Sequence, residues 1–525
     1  MNGVGDAIFA LLLAAAYAAQ MARWLRVLQR EHYDPRSMAH FLGRWTTPQV
    51  PSAKSLGPWR GRAAERRPFT LSHALIVAIL VSLALRASGA LVVTSAAYGL
   101  FCPQGLHVRG TTGKLAWTRR LRTVTLVAFV VAAVVAGVGA LTPQPFLGAV
   151  VVVLAVPPVL DVATRVLGPY EERRARRYVD QAVRRLAAVH PRIVAITGSY
   201  GKTSTKNHLS QLLAGVLAVV ASPRSYNNRA GLSRAINENL VDGTQVFVAE
   251  MGTYGPGEIR DLTSWCVPEV AVVTAIGPVH LERMGTLEVI EAAKREITER
   301  AATVVLNVDD GRLARWPDSL RAAGKRVITA GSLAATDVRV APAAGEWSIV
   351  LDGQERVRVA AIVGVQPTNL ACALGAARAL GVDDDTLVRG LGRVEPVANR
   401  LQVATAPSGV VVIDDTFNAN PASALAALDA LSALAVPGRR VVVTPGLVEL
   451  GREQHTENLK LGRRAEALGD ELVVVKRSNA LALEAGYGKP ARRFDSREEA
   501  VAWVRGSLGS GDAVLYLNDL PDHYP

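Results

Sequence analysis

A chain of 525 residues is long enough for two or three domains, and half of those residues are apolar, with a mean hydropathy of +0.20, which argues against a wholly water-soluble protein. The net charge of +13 is unevenly placed: up to His190 there are 23 Lys/Arg against 8 Asp/Glu, and beyond it 36 against 38, so the high pI is no sign of a nucleic-acid binder. Cys102, Cys266 and Cys372 lack metal-ligand spacing and any obvious pairing, which suits a reducing compartment and argues against a zinc ribbon.

Five apolar stretches precede His190: Val4–Ala22, Leu71–Leu85, Gly89–Phe101, Thr123–Leu141 and Phe146–Val162. About 20 apolar residues carry a helix across a bilayer, so the first, fourth and fifth come close to a full span. The second and third are shorter and meet at Arg86-Ala87-Ser88, where a single long helix or a re-entrant hairpin is the alternative to two crossings. Arg23 and Arg26 follow the first stretch and no basic segment precedes it, a poor pattern for a cleavable signal. Residues 23–67 hold ten Lys/Arg, residues 109–122 five and residues 165–185 seven; five crossings put all three segments on one side, which the positive-inside rule makes the cytoplasm. Between Glu171 and His190, Tyr178, Val179, Ala182, Val183, Leu186 and Ala187 recur at helical spacing among six arginines. This predicts a basic amphipathic helix, either lying on anionic headgroups or serving as a solvated connector.

At Val194–Lys206 an apolar strand runs into Gly198-Ser199-Tyr200-Gly201-Lys202-Thr203-Ser204 and then into a helix. Such a turn aims backbone N–H groups and a helix N-terminus at a polyphosphate; Lys202 adds a point charge and the Thr203 hydroxyl can reach Mg²⁺. The pattern is shorter than the strict P-loop, since Ile196 stands where a glycine would be. Strand-like and helix-like segments then alternate, predicting an α/β domain with a largely parallel sheet. Strand Gln245–Ala249 ends at Glu250, and strand Pro268–Thr274 leads to His280. A predicted helix Val289–Arg300 carries Lys294 with acidic neighbours Glu291 and Glu296, and strand Thr303–Leu306 ends at Asn307. A last apolar strand, Val410–Ile413, runs into Asp414-Asp415. Polar residues just beyond strand ends are where ligands bind in such sheets.

From about Pro191 to Gly462 the chain resembles the Mur ligase family, through Gly198–Lys206, Asn227-Asn228, Glu250-Met251-Gly252, Val273–Ile297, Asn307–Asp310, Asn399-Arg400-Leu401 and Asp414–Pro421. The resemblance implies an ATP-dependent amide ligase that passes through an acyl phosphate. The apolar stretches and the basic segment predict an N-terminal α-helical membrane region of about five helices (1–165) and a basic linker helix (166–190), and the resemblance implies an α/β P-loop-type central ligase domain (191–395) and a smaller α/β Rossmann-like C-terminal domain (396–525). The resemblance places Gly198, Ser199, Gly201, Lys202, Thr203 and Ser204 on the phosphates, Asn307 on the adenine, Arg400 on the phosphates and Asp415 on the ribose. It makes Lys202, Glu250, His280 and Lys294 catalytic, with Thr203, Glu250, His280 and Lys294 at a site for two Mg²⁺ ions. Lys294 matches a lysine that many members carbamylate. Asn227, Asn228, Asn418 and Asn420 would face the substrates.

The implied partners are a small-molecule or lipid-linked cell-wall precursor, an amino acid or dipeptide such as D-alanyl-D-alanine, and the cell membrane, with the catalytic domains in the cytoplasm, no nucleic acid and a monomeric chain. The departures lie at the ends: membrane helices stand where the family has a soluble UDP-binding domain, and no Lys-Gly-Ser-Arg-like segment precedes the terminus. A membrane-associated poly-γ-glutamate-type ligase, and a nucleotide-regulated membrane scaffold or transport ATPase, are the competing readings.

Overall fold

This computed structural model describes residues 3–34, 38–39, 41–42, 71–109, 115–223, 226–333, 335–343, 345–362, 364–397, 401–416, 419–467, 470–520 and 524. Asn399, Arg400 and Asn418 lie outside them. The chain divides into two units: Met1–Arg174 with Lys476–Ser478 and Leu520–Pro525, and Ala175–Val475 with Asn479–Asp519.

The first unit is helical, with helices Gly3–Arg30, Leu71–Ala84, Ser88–Phe101, Arg119–Ala140 and Leu147–Leu154, followed by the start of Val156–Val189. Contacts along Gly3–Arg30 give the direction of its neighbours. Gly89 lies against Phe9 and Gly99 against Ala16, so Ser88–Phe101 runs parallel to it. Tyr17 donates to the Ala128 carbonyl and Gln29 exchanges hydrogen bonds with Ala116, so Arg119–Ala140 runs antiparallel. Phe146 meets Phe9 edge-on and Val153 packs on Gly99, so the chain then turns parallel again. Arg23, only 5% exposed, donates to the carbonyls of Gly99, Leu100 and Leu106, satisfying acceptors that the end of Ser88–Phe101 leaves open. The fifth apolar stretch is not one helix: it breaks at Ala155 and bends by 72°, because Pro157-Pro158 can start a helix but cannot continue one. The second helix then continues through Arg174 without a break, so no separate linker helix begins at 166. Among the described residues two helices are long and apolar enough to cross a membrane, or three if the bent pair is one span; Leu71–Ala84 and Ser88–Phe101, 14 residues each, are shorter.

Among the described residues the second unit holds two sheets. The strands of the larger are β1 (Arg192–Thr197), β2 (Val219–Ala221), β3 (Val246–Glu250), β4 (Val270–Val273), β5 (Thr303–Asn307), β6 (Arg326–Gly331), β7 (Val338–Ala343), β8 (Glu346–Leu351) and β9 (Gln354–Ala360). Their order is β2-β3-β1-β4-β5-β6-β7-β8-β9, parallel through β7 and antiparallel for β8 and β9. The short apolar runs are explained by burial on both faces: along β1, Val194 and Ile196 face helices Lys202–Leu213 and Pro367–Ala379, while Ile193 and Ala195 join the opposite core with Phe247, Ile236 and Leu306. The smaller sheet holds β10 (Gln402–Thr405), β11 (Val411–Asp415), β12 (Arg440–Thr444), β13 (Glu471–Val475), β14 (Arg492–Phe494) and β15 (Ala513–Leu517). Its order is β10-β11-β15-β12-β13-β14, parallel apart from β10.

In the larger sheet β1 lies between β3 and β4, so the loops leaving these three carboxyl ends meet at the point where the strand order reverses, the place such sheets reserve for ligands. Helix Lys202–Leu213 leaves from there and buries His208, 1% exposed, and burial drives the His208 imidazole down to about 4. Between pH 6.5 and 4 the unfolded chain binds the proton that the folded chain refuses. The stabilisation is therefore complete above about pH 6.5 and falls away toward pH 4, by about 3 kcal/mol in all. We expect His208→Met to flatten the acid limb of the second unit's urea midpoint over this window; an unchanged limb would show that His208 does not set it.

Candidate active site

The turn after β1 is shaped by two glycines that no other residue replaces easily. Gly201, at φ 78°, opens helix Lys202–Leu213 and has the Asn369 side chain where a Cβ would stand. Gly198, at φ 154°, presses against Thr274, whose hydroxyl donates to the Thr197 and Tyr200 carbonyls. Ser199 is spent on the turn itself: its N–H donates to Ala275, its hydroxyl to the Gly277 carbonyl, and it accepts from the Gly277 N–H. Lys202 Nζ folds back to donate to the Gly198 carbonyl at 2.7 Å, which parks the cation inside the cradle. Ser204 follows within the first turn of the helix.

The end of β3 supplies the anionic side. Glu250 is 1% exposed and accepts from Thr203 Oγ1 at 2.9 Å, from Asn227 Nδ2 at 3.1 Å and from Lys206 Nζ at 3.2 Å. Lys206 is equally buried and also donates to the Ser222 carbonyl. Such an ion pair is tolerated in an interior because both groups are hydrogen-bonded and oppositely charged. Thr203 and Glu250 are hard oxygen donors side by side at the cradle, so they fit an ion such as Mg²⁺ that takes few protein oxygens and otherwise water and phosphate. Among the described residues no group of three or more His, Cys, Asp and Glu side chains is arranged to hold a metal.

Lys294 lies on helix Leu287–Arg295 and is 2% exposed. The helix gives way to a 3₁₀ turn at Glu296–Thr298, short of the predicted Arg300, because the Glu296 carboxylate turns to accept from Gly257 and Arg260 N–H groups at the start of helix Glu258–Trp265. Glu291 is likewise engaged, by Arg312 and the Trp316 indole. Neither acid therefore neutralises Lys294. Burial, and next the charge of Lys202, push its amine well below the usual lysine range.

His280 stands at φ 55° before helix Leu281–Met284, and its Nδ1 meets a Glu449 carboxylate oxygen delivered by the loop after β12. Tyr254 packs edge-on to the imidazole at 4.6 Å, with Arg283 over the Tyr254 ring at 4.9 Å. Burial pushes the Glu449 carboxyl up, but the hydrogen bond and charge of His280, with Arg283, outweigh it and hold the group below the usual glutamate range.

The other predicted residues have structural engagements. Asn307 donates to the Thr274 carbonyl and accepts from the Asp309 N–H, tying β4 to β5 behind the cradle. Asn228 and Asn420 are helix N-caps, accepting from the Gly231 and Ser423 N–H groups. Asp415, 4% exposed at the end of β11, accepts from Leu401 N–H. Sequence reasoning missed three residues. Lys206 has a signal, since it lies four positions after Lys202 on the same helix; Glu449 and Asn518 have none. Asn518, after β15, donates to Gly446 and accepts from Ala419, linking the loops that carry Glu449 and Asn420.

Residues 196–377 match the Mur ligase middle domain, and residues 399–517 the domain described as Mur ligase, glutamate ligase domain. The UDP-N-acetylmuramoyl-tripeptide–D-alanyl-D-alanine ligase of Mycobacterium tuberculosis is 32% identical over 357 residues, 62% of this chain and 69% of that one. The enzyme of the same name from Escherichia coli is 28% identical over 316 residues, 57% and 68% of the two chains. A crystal structure of the Thermotoga maritima MurF ligase in complex with ADP superposes with a TM-score of 0.56 at 26% identity, covering 66% of this chain and 80% of that one.

Removing one partner of the buried pair should be costly. Lys206→Met strands the Glu250 charge and is expected to lower the stability of the second unit by about 3–5 kcal/mol, most of it regained in Lys206→Met/Glu250→Gln. Urea unfolding followed by tryptophan fluorescence measures both, with Glu250→Gln closing the cycle, and a double-variant loss equal to the sum of the two single losses would mean the pair is not coupled.

Proposed function

Since this chain belongs to the Mur ligase family of ATP-dependent, ADP-forming amide ligases of peptidoglycan precursor synthesis, we propose that it joins D-alanyl-D-alanine, or a closely similar amine, to the peptide carboxylate of such a precursor. The observation that carries this reading is the Thr203–Glu250–Asn227–Lys206 cluster beside the Gly201–Lys202 turn, which puts an anion-binding cradle and a pair of hard oxygen ligands in one place.

A carboxylate is a poor acylating agent until its oxygen becomes a leaving group. Transfer of the γ-phosphoryl group of ATP to that oxygen gives an acyl phosphate and ADP. The incoming amine attacks the carbonyl carbon, loses a proton, and inorganic phosphate departs with the oxygen. The first step brings an anion to a polyanion, and unit charges 4 Å apart repel by about 4 kcal/mol at an effective dielectric of about 20. Lys202 would exchange the Gly198 carbonyl for a phosphate oxygen, and the N–H groups at the start of helix Lys202–Leu213 would receive the others. Mg²⁺ held by Thr203 and Glu250 would neutralise charge on both reactants when bound. Lys206 keeps the Glu250 carboxylate aimed at that position. Lys294, driven toward its neutral amine, suits attack on CO₂: the N–C bond forms, a proton leaves, and the buried amine becomes a carboxylate that would serve a second Mg²⁺. We carry forward the expected roles of Asn307, Arg400 and Asp415 toward the nucleotide and of the asparagines toward the substrates.

The first unit we read as a membrane region with the ligase domains in the cytoplasm. Support comes from side chains that face outward on its helices and are apolar, among them Leu11, Leu80, Leu126, Phe129, Val134 and Val166. Ser88–Phe101, Arg119–Ala140 and Leu147–Leu154 alternate in direction, and the sidedness of the basic segments is unchanged whether the pair Leu71–Ala84 and Ser88–Phe101 counts as two crossings or as a hairpin.

The test is phosphate release and product mass for the detergent-purified full chain with ATP, Mg²⁺ and D-alanyl-D-alanine, supplied with UDP-N-acetylmuramoyl-tripeptide or its lipid-linked counterpart. We expect ligation of one of the two; turnover of neither, with ligation of glutamate, would replace this reading by a poly-γ-glutamate-type ligase. Lys202→Ala and Glu250→Gln are expected to cut turnover at least 100-fold while the fold persists, and normal turnover in either removes its role. Lys294→Ala should be inactive and partly rescued by formate or acetate. Full activity without rescue would mean the amine stays unmodified.

A further inference from the structure

Along helix Val156–Val189 one set of exposed side chains changes character in order: Val162 (57% exposed), Val166 (70%) and Tyr170 (56%) come first, then Arg173 and Arg177. At about 100° per residue these five fall within an arc of roughly 80°, a single stripe about 22 Å long. Glu172 lies to one side of it and Asp180 follows Arg177. Among the described residues neither Arg173 nor Arg177 has an ion-pair partner, whereas Arg185 further along pairs with Asp242. The apolar face that spacing predicts over Glu171–His190 is a different one. There Val179 is buried, and Ala182 and Leu186 join the core with Ile193, Ala195 and Phe247, so that face covers protein rather than headgroups. Two features set the direction of the exposed stripe. The helix turns by 72° from Leu147–Leu154, which packs along Gly3–Arg30, so it runs nearer to the plane of a bilayer crossed by those helices than to its normal. On its other side Asp161 accepts from the Met38 and Ala39 N–H groups, in the basic segment that follows Gly3–Arg30. The stripe lies about 140° around the helix from Asp161 and so faces away from that segment.

We propose that this stripe is a binding surface for anionic phospholipid: Val162 and Val166 enter the edge of the hydrocarbon, Tyr170 sits at the interface, and the Arg173 and Arg177 guanidinium groups take headgroup phosphates. The inference rests on reading the first unit as a membrane region. Apolar, then aromatic, then basic is the order in which a helix leaving a bilayer at a shallow angle meets its surroundings. A guanidinium presents paired N–H donors that match phosphate oxygens, and its apolar stem can cover hydrocarbon while the charge stays at the surface. No carboxylate of the protein competes for the two arginines, and the excess of 23 Lys/Arg over 8 Asp/Glu up to His190 favours an anionic surface over a neutral one.

The test uses the full chain in two measurements. Cys102, Cys266 and Cys372 are buried, so a nitroxide can be directed to Val166→Cys or, as a reference on the helix Arg119–Ala140, to Phe129→Cys. In nanodiscs of phosphatidylcholine and phosphatidylglycerol we expect both labels to be relaxed by oxygen and shielded from a water-soluble nickel chelate. Phosphatidylglycerol binding to the detergent-purified chain, followed by native mass spectrometry, should weaken about 5-fold for each arginine removed in Arg173→Gln and Arg173→Gln/Arg177→Gln, with phosphatidylcholine binding and the melting temperature unchanged. A chelate that reaches the label at 166 but not the one at 129 would make the helix a solvated connector and overturn the proposal alone. Wild-type phosphatidylglycerol affinity in the double variant would overturn it too. A chelate that reaches both labels would overturn the membrane reading with it.

Discussion

A carboxylate that is 1% exposed cannot remain charged without partners, and most of the nucleotide end of this protein is arranged around that requirement. Glu250 draws Lys206 and Thr203 from the helix after β1 and Asn227 from the segment before helix Arg229–Asn239. Three segments are thereby fixed on one pair of oxygen atoms. The Gly198–Gly201 turn is held from the other side by Thr274 and by the Ser199–Gly277 exchange. The cradle is thus preorganised before any phosphate arrives, so ordering it need not be charged against nucleotide binding. Lys202 is the group still set to move.

The same economy appears at the opposite charge. A lysine as buried as Lys294 is usually paired, yet the two acids nearest to it in sequence serve other masters: Glu296 holds the start of a helix and Glu291 holds Arg312 and Trp316. The amine is buried and lies in the positive field of Lys202. That is the condition under which a lysine becomes a nucleophile rather than a counter-ion.

How much of this was legible in the sequence depended on range. The strands around the cradle were legible because short apolar runs ended at polar residues, and burial on both faces of a parallel sheet demands such runs. Asn228 and Asn420, which the resemblance turns toward the substrates, stand directly before helices and cap them, a local role that the resemblance does not supply. The break in the fifth apolar stretch, read from the sequence as a near-complete span, went unread although Pro157-Pro158 stands at it. The burial of Lys294 was not legible, since spacing along a helix does not say which way an acid turns. Neither was the contact of His280 with Glu449, which depends on how two sheets dock, nor the antiparallel pair β8 and β9 at the end of an otherwise parallel sheet.

That terminal pair has a further consequence. An outermost strand offers a row of unpaired N–H and C=O groups on which another chain can add, the usual start of sheet-mediated aggregation. β9 occupies this position and carries Glu355, Arg356 and Arg358 in succession along seven residues, with Glu355 and Arg358 paired to each other at 2.9 Å. A chain adding there would have to strip water from charges of both signs before gaining its first backbone hydrogen bonds. The strand closes the sheet and, by the same side chains, discourages its growth.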